Sequence, residues 1–197
     1  DFHLVFKELT TRIDDSHAFT NSGPLAMLLT KAYTVGFVPS SIEGRTVVRE
    51  VYPALLGGCD IRAGDVVTHI DGRSSEELRQ EYRKYAHGSN EDFRQSQLDR
   101  LIFAGSAASL DLTIERAGQP LAVQVPGVTY AQVNAEVEKL EAAIVPARIL
   151  AGNIGYIHMG VLKPEQIAEA MALLWDTRAI IFDIRNYPQG TAWMPNT

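Results

Sequence analysis

The chain has 197 residues, 46% hydrophobic and 21% charged, enough for one or two compact domains with sizeable cores and unlike a disordered segment. A net charge of −6 with dispersed lysines and arginines lacks the electrostatic footprint of a nucleic-acid binder, and no apolar run approaches the ~20 residues that span a bilayer. The single cysteine, Cys59, allows no internal disulfide, and with no second cysteine or histidine cluster beside it reads as a small core or loop residue, not a metal ligand.

Phe2, Val5, Phe6, Leu9 and Ile13 recur at helical spacing, so residues 1 to about 13 are expected to form a packing helix with one apolar face. A short acidic loop, Asp14-Asp15, follows and leads into Ser16-His17-Ala18. Histidine is the side chain whose ordinary pKa suits proton transfer near neutrality, which makes His17 a candidate base, although an exposed or satisfied histidine is the commoner case. The Ser16 hydroxyl is read as an orienting group or a turn cap. Asn21-Ser22-Gly23-Pro24 marks a boundary, and Leu25 to Leu29 fits helix or strand.

From Val35 the period becomes two. Phe37-Val38-Pro39 and Thr46 to Val51 flank Ile42-Glu43-Gly44-Arg45, a hairpin-like spacing with Gly44 able to take positive φ in the turn. Gly64-Asp65 opens an alternating strand that Asp71-Gly72 turns, and Ser74 with Glu77 makes a capping box for a helix carrying Leu78, Tyr82 and Tyr85. His69 lies on the alternate face of that strand and reads as a surface or packing residue. Asn90 caps a further helix with Phe93, Leu98, Leu101 and Ile102, read as an insertion over residues 88–104. Leu110 to Arg116 and Leu121 to Val125 alternate around Ala117-Gly118-Gln119-Pro120 as a closing hairpin.

Val133, Val137, Leu140 and Ile144 give another helical face, ended by Pro146. Arg148-Ile149-Leu150 then turns through Ala151-Gly152-Asn153 into Ile154 to Met159. A helix with Ile167, Met171, Leu174 and Trp175 on one face follows, and Ala179 to Ile184 is a nearly continuous apolar run. That order is strand, helix, strand, as in a right-handed βαβ unit whose second strand is buried on both faces. The loop Asp183-Ile184-Arg185-Asn186-Tyr187-Pro188-Gln189-Gly190 then occupies the carboxyl end of a parallel strand, where open α/β sheets bind ligands.

Gly-Tyr-Ile, a helix, and an apolar strand running into Asp-x-Arg-x-x-Pro-x-Gly resembles the start of the protease domain of the carboxyl-terminal processing proteases, the tail-specific and tricorn-like serine peptidases of the S41 type. Ser16-His17-Ala18 is similar to the general-base motif that precedes the PDZ domain in the tricorn-like branch. Ile61-Arg62-x-Gly64-Asp65-Val66-Val67 with Asp71-Gly72-Arg73 is similar to that PDZ domain. This chain departs from the family at Tyr187, where Asn is usual, and at Gln189-Gly190, where a Gly-Gly pair is usual.

The resemblance implies an α+β protein: an N-terminal helical segment with the Ser-His-Ala motif over 1–34, a PDZ-like β domain with an inserted helix over 35–128, and the first βαβ part of an S41-type protease domain over 129–197. It implies catalytic roles for His17, as base, and Ser16, as orienting hydroxyl, with Gln189 and Gly190 in the oxyanion or substrate loop. Gly36, Phe37 and Val38 are the nearest match to a peptide-binding carboxylate loop, in a groove between the strand at Val35 to Ser41 and the helix after Ser74. The implied partner is a polypeptide substrate or a peptide C-terminus, with neither a metal nor a cofactor, and the implied location is extracytoplasmic. No Gly-x-Ser-x-Gly nucleophile elbow is present. The resemblance puts the nucleophile and its acidic partner beyond Thr197, so the 197 residues are expected to be an inactive piece of a longer serine endopeptidase. A binding or scaffold module without catalysis is the alternative.

Overall fold

The computed structural model describes residues 1–188, so Gln189 and Gly190 lie outside the described residues. The protein divides into two compact units, residues 1–136 and 137–197. It is a mixed α+β structure dominated by an antiparallel sheet.

The first unit begins with α1 (Phe2–Thr10) and α2 (Gly23–Leu29), the latter capped by the Ser22 hydroxyl. The strands β1 (Tyr33–Val35), β2 (Phe37–Ile42), β3 (Arg45–Val51), β4 (Val66–Ile70) and β5 (Arg73–Ser74) follow. Next come α3 (Ser75–Tyr82), the inserted α4 (Glu91–Leu101), β6 (Ser109–Arg116) and β7 (Gln119–Thr129). The strands hydrogen-bond in the order β1-β7-β6-β4-β3-β2, with β5 paired to β4, and every pairing is antiparallel. At the β2–β3 turn Glu43 and Gly44 take φ of 50° and 76°, the left-handed pair that matches a two-residue turn to the strand twist. The expected capping box closes on α3 through Ser74 and Glu77, and Asn90 caps α4.

Alternation in β6 sends Leu110, Leu112 and Ile114 inward against Val48, Val67 and Phe103. Each such side chain withdrawn from water contributes roughly 1.5–3 kcal/mol. Asp65, of the Gly-Asp pair, is buried at the mouth of β4. Its carboxylate takes the Arg62 N–H at 2.8 Å and two Arg116 guanidinium bonds at 2.7 Å, and Arg116 also reaches Asp60. Burial pushes the Asp65 carboxyl pKa upward, but the Arg116 and Arg62 hydrogen bonds outweigh it and the net shift is downward.

The second unit takes up the end of α5 (Tyr130–Ala142), of which no residue is buried, making it a connecting helix. Its sheet has the order β10-β9-β8, formed by β8 (Ala147–Leu150), β9 (Ile154–His158) and β10 (Ala179–Asp183), with α6 (Ile167–Leu174) between the last two. The β9–β10 pair is parallel and β8–β9 is antiparallel, so the hairpin and the strand-helix-strand order stand as the sequence led us to expect. Ala147, Ile157, Leu162, Ala170 and Leu174 form the core.

Three expectations are corrected. The apolar face of α1 does not pack. Phe2, Val5, Phe6, Leu9 and Ile13 are all exposed, and α1 instead turns Lys7 inward, because Lys7, Thr10 and Thr11 find polar partners in His87, Thr20 and the Lys84 carbonyl. β10 is not buried on both faces. Among the described residues it is an edge strand, and Ile181 and Phe182, which point to opposite faces, are about half exposed, at 48% and 53%. Trp175, expected on the packing face of α6, is exposed at the C-terminal cap of that helix.

Arg79 and Asp99 form a buried ion pair between α3 and α4. Arg79 also donates to Thr46 Oγ1 at 3.0 Å and Gln95 Oε1 at 2.8 Å, and Asp99 accepts the Ser41 N–H of β2 at 3.0 Å. Removing one member of a buried pair leaves the other charge uncompensated. Arg79→Met is therefore expected to lower the unfolding free energy by about 3–5 kcal/mol in urea denaturation. A loss below about 1 kcal/mol would show that Asp99 is not held by this pair.

Candidate functional site

The Ser-His-Ala loop is built by short-range polar contacts after α1. Asp15 Oδ1 accepts the backbone N–H of His17 at 2.8 Å and lies 3.2 Å from its ring Nδ1. An ionised carboxylate only accepts, so Nδ1 carries the proton shared with Asp15, and Nε2 is the ring nitrogen that this contact leaves unengaged. The His17 N–H, and then its ring, hold the Asp15 carboxyl below its usual range and keep it ionised. The His17 side chain is 94% exposed, open to any reactant that approaches the loop. Asp15, to which the sequence reading assigned no part, is the hydrogen-bond partner of the ring. The signal was present as an acid two residues before a histidine in a turn.

Ser16 is not free to act on its own. Its N–H donates to Ser89 Oγ at 2.8 Å, and its Oγ accepts both the Ser89 N–H and the Ser89 hydroxyl at 3.0 Å. This reciprocal pair ties the histidine loop to the segment leading into α4. Asp14 is joined to Arg94 of α4 by an ion pair. Ser16 and His17 are therefore brought together on a loop that the inserted helix holds in position.

Gly36, Phe37 and Val38 sit where β1 passes into β2. A Cβ on Gly36 would stand 2.8 Å from the Leu55 Cβ, so only glycine allows that approach. Phe37 is a core residue, edge-on to Phe103 at 5.2 Å. The helix that packs along β2 is the inserted α4, not α3 as the sequence reading had it, and Asp99 already occupies the Ser41 N–H. The cleft on that side, about 520 Å³, is lined by Glu43, Glu91, Asp92 and Asp99.

In the second unit the carboxyl end of β10 carries the Asp-x-Arg motif. Asp183 is buried and accepts from Tyr156 Oη at 2.7 Å, from Arg185 Nε and Nη2 at 2.9 and 2.6 Å, and from the Arg185 N–H at 3.1 Å. The Arg185 guanidinium first, and Tyr156 second, hold its carboxyl well below the usual carboxylate range. Hydrogen bonding to Asp183 in turn raises the Tyr156 pKa. A carboxylate so fully engaged is an anchor for the loop that follows, and its lone pairs are spent. Opposite it in the parallel register is His158, whose Nδ1 is buried without a hydrogen-bond partner among the described residues. The sequence reading passed over His158. The signal it missed was the residue's place at the carboxyl end of β9. Among the described residues there is no group of three His, Cys, Asp or Glu side chains that could hold a metal ion, and no helix is long and apolar enough to cross a membrane.

No protein-family model matches the chain, and no curated protein does. Among solved structures the chain is similar to mature CPAF, with TM-score 0.50 and 13% identity over 92% of this chain and 44% of that one. A mutant of CPAF gives TM-score 0.49 and 13% identity over 77% of this chain and 41% of that one. The PDZ domain of EpsC from Vibrio cholerae gives TM-score 0.27 and 14% identity over 62% of this chain and 91% of that one. The likeness to mature CPAF is one of fold, and the chain spans less than half the length of either CPAF structure.

The carboxylate anchor makes a testable ranking. Arg185→Gln is expected to raise the Asp183 carboxyl pKa more than Tyr156→Phe does, read by carbon-13 NMR titration. The opposite order would show that the phenol, not the guanidinium, is the main support. Because the folded-state pKa is depressed, the stabilisation from Asp183 is complete above the ordinary carboxylate pKa of about 4 and is lost as pH falls through the folded-state value.

Proposed function

We propose that the chain is the front part of a serine peptidase of the S41 type, with His17 as general base. The observation that carries this is the Asp15–His17 contact, which engages Nδ1 and leaves the opposite edge of the ring facing solvent on a loop held by Ser16 and Ser89. The fold-level likeness to mature CPAF, a serine protease, supports the reaction class.

In this reading a serine hydroxyl attacks a peptide carbonyl and Nε2 of His17 takes its proton. Asp15 orients the ring and favours the imidazolium that forms. Backbone N–H groups in the loop after Asp183, with Gly190 among them, would stabilise the oxyanion. The anchored Asp183 gives that loop a rigid origin. The nucleophile is to be sought in sequence outside these 197 residues, the substrate is a polypeptide, and the 35–128 region serves as a PDZ-like domain. One observation favours a second reading, a peptide-binding module without catalysis: among the described residues β2 is an edge strand paired only with β3, open in principle to strand addition. The α4 helix along β2 and the acidic cleft beside it weigh against capture of a peptide carboxylate there.

Fluorophosphonate labelling of the protein made from the full reading frame tests this. His17→Ala is expected to cut labelling by about 10³-fold or more, and Asp15→Asn by less. Labelling undiminished in His17→Ala would remove His17 from the base role, and a folded full-length protein that is never labelled would transfer the weight to the binding reading.

A further inference from the structure

A cavity of about 550 Å³ lies within the first unit, between the N-terminal segment and the inserted helix. Its position follows from the correction made to α1. The helix turns Lys7 inward, and the amine ends 3.2 Å from the His87 Nδ1. His87 is held between Phe19 and Phe93, with both ring centroids 5.7 Å away, one stacked and one edge-on. Arg100, on α4, also lines the space.

The charge balance of this cavity is unusual. The protein carries 24 acidic residues against 18 lysines and arginines, yet none of the residues lining the cavity is acidic. Lys7 is only 7% exposed, and a lysine that buried ordinarily has a carboxylate partner. Among the described residues no carboxylate pairs with Lys7 or Arg100. The neighbour of Lys7 is a second basic group. Burial lowers the Lys7 pKa, and burial followed by the Lys7 charge lowers that of His87, as expected of cations held without a counter-charge. The remaining wall mixes apolar and aromatic side chains, Leu25, Leu29 and Phe93 among them, with the neutral polar side chains of Ser16, Thr20, Asn21, Thr30 and Gln97.

We propose that this cavity binds a carboxylate carried on an apolar or aromatic body. The acid group would be received by Lys7 and Arg100 and the body by the Phe19–Phe93 wall. A free peptide C-terminus ending in an aromatic residue and a small aryl acid share that chemistry. A phosphate ester has the charge but not the apolar body that the wall is shaped to cover. The cavity differs from the β2–α4 cleft, whose acidic lining repels the same group. Ser16 of the histidine loop lines the same cavity, but the proposal needs neither His17 as a base nor a nucleophile, so its failure and that of the peptidase reading are distinguishable.

Calorimetric titration with N-acetyl-Ala-Ala-Phe, first with a free carboxylate and then as its carboxamide, tests it, with benzoate as a third probe. The free acid is expected to bind about tenfold to a hundredfold more tightly than the amide, the range of a charge-assisted hydrogen bond. Lys7→Met and the surface change Arg100→Gln are each expected to weaken it by about tenfold. Lys163→Gln, in the second unit, leaves binding unchanged. Arg100→Gln keeps the test decisive if Lys7→Met fails to fold. Equal affinity for acid and amide, undiminished binding in Arg100→Gln, or no binding of any probe would overturn the proposal. Carboxylate-dependent binding of benzoate without binding of the peptide would support it and assign the cavity to a small aryl acid.

Discussion

The buried Arg79–Asp99 pair is the contact on which the functional features of the first unit depend. Two charges out of water are tolerated only when their remaining donors and acceptors are filled, and here Thr46, Gln95 and the Ser41 N–H fill them. The pair thereby joins α3, α4, β3 and β2 at one point. With α4 so fixed, the segment before it brings Ser89 to Ser16 and His87 to Lys7, and its own residues supply Phe93, Arg94 and Arg100. The helix α4 and the segment before it are thus what hold the histidine loop.

The same helix decides what the sheet edge can do. Edge strands expose unpaired N–H and C=O groups, and proteins cover or charge them to prevent unwanted pairing. Here α4 packs along β2, and Asp99 satisfies one of its N–H groups while Glu91 and Asp92 bring further negative charge nearby. The basic, aromatic cavity lies on the side of α4 that faces the N-terminal segment. The two sides therefore differ in charge and in the ligands they suit.

Buried carboxylates in this protein act as anchors. Asp65 is held by Arg116 and the Arg62 N–H, and Asp183 by Arg185 and Tyr156, each with its acceptor capacity committed. Such groups set loop geometry and are poor bases. The histidines are less engaged: His17 has one carboxylate at Nδ1, and the buried Nδ1 of His158 has no hydrogen-bond partner among the described residues.

Local features were legible in the sequence because they depend on local physics. Ser74 with Glu77, Asn90, Glu43-Gly44 and the alternation of Leu110, Leu112 and Ile114 rest on hydrogen bonds and periodicities within a few residues, and each appears where the sequence indicated. The parallel pairing of Ile154 to His158 with Ala179 to Asp183 follows from an intervening helix in the same way. What the tertiary structure alone decided concerns faces and partners. The apolar stripe of α1 suggested burial, but periodicity identifies a stripe without saying which side meets the core, and contacts 70 to 80 residues away turned Lys7 inward instead. Asp15 and His87 likewise gained their roles from a turn geometry and from a neighbour brought by folding. The number of layers over β10 depends on packing elements, which no strand can encode in its own composition.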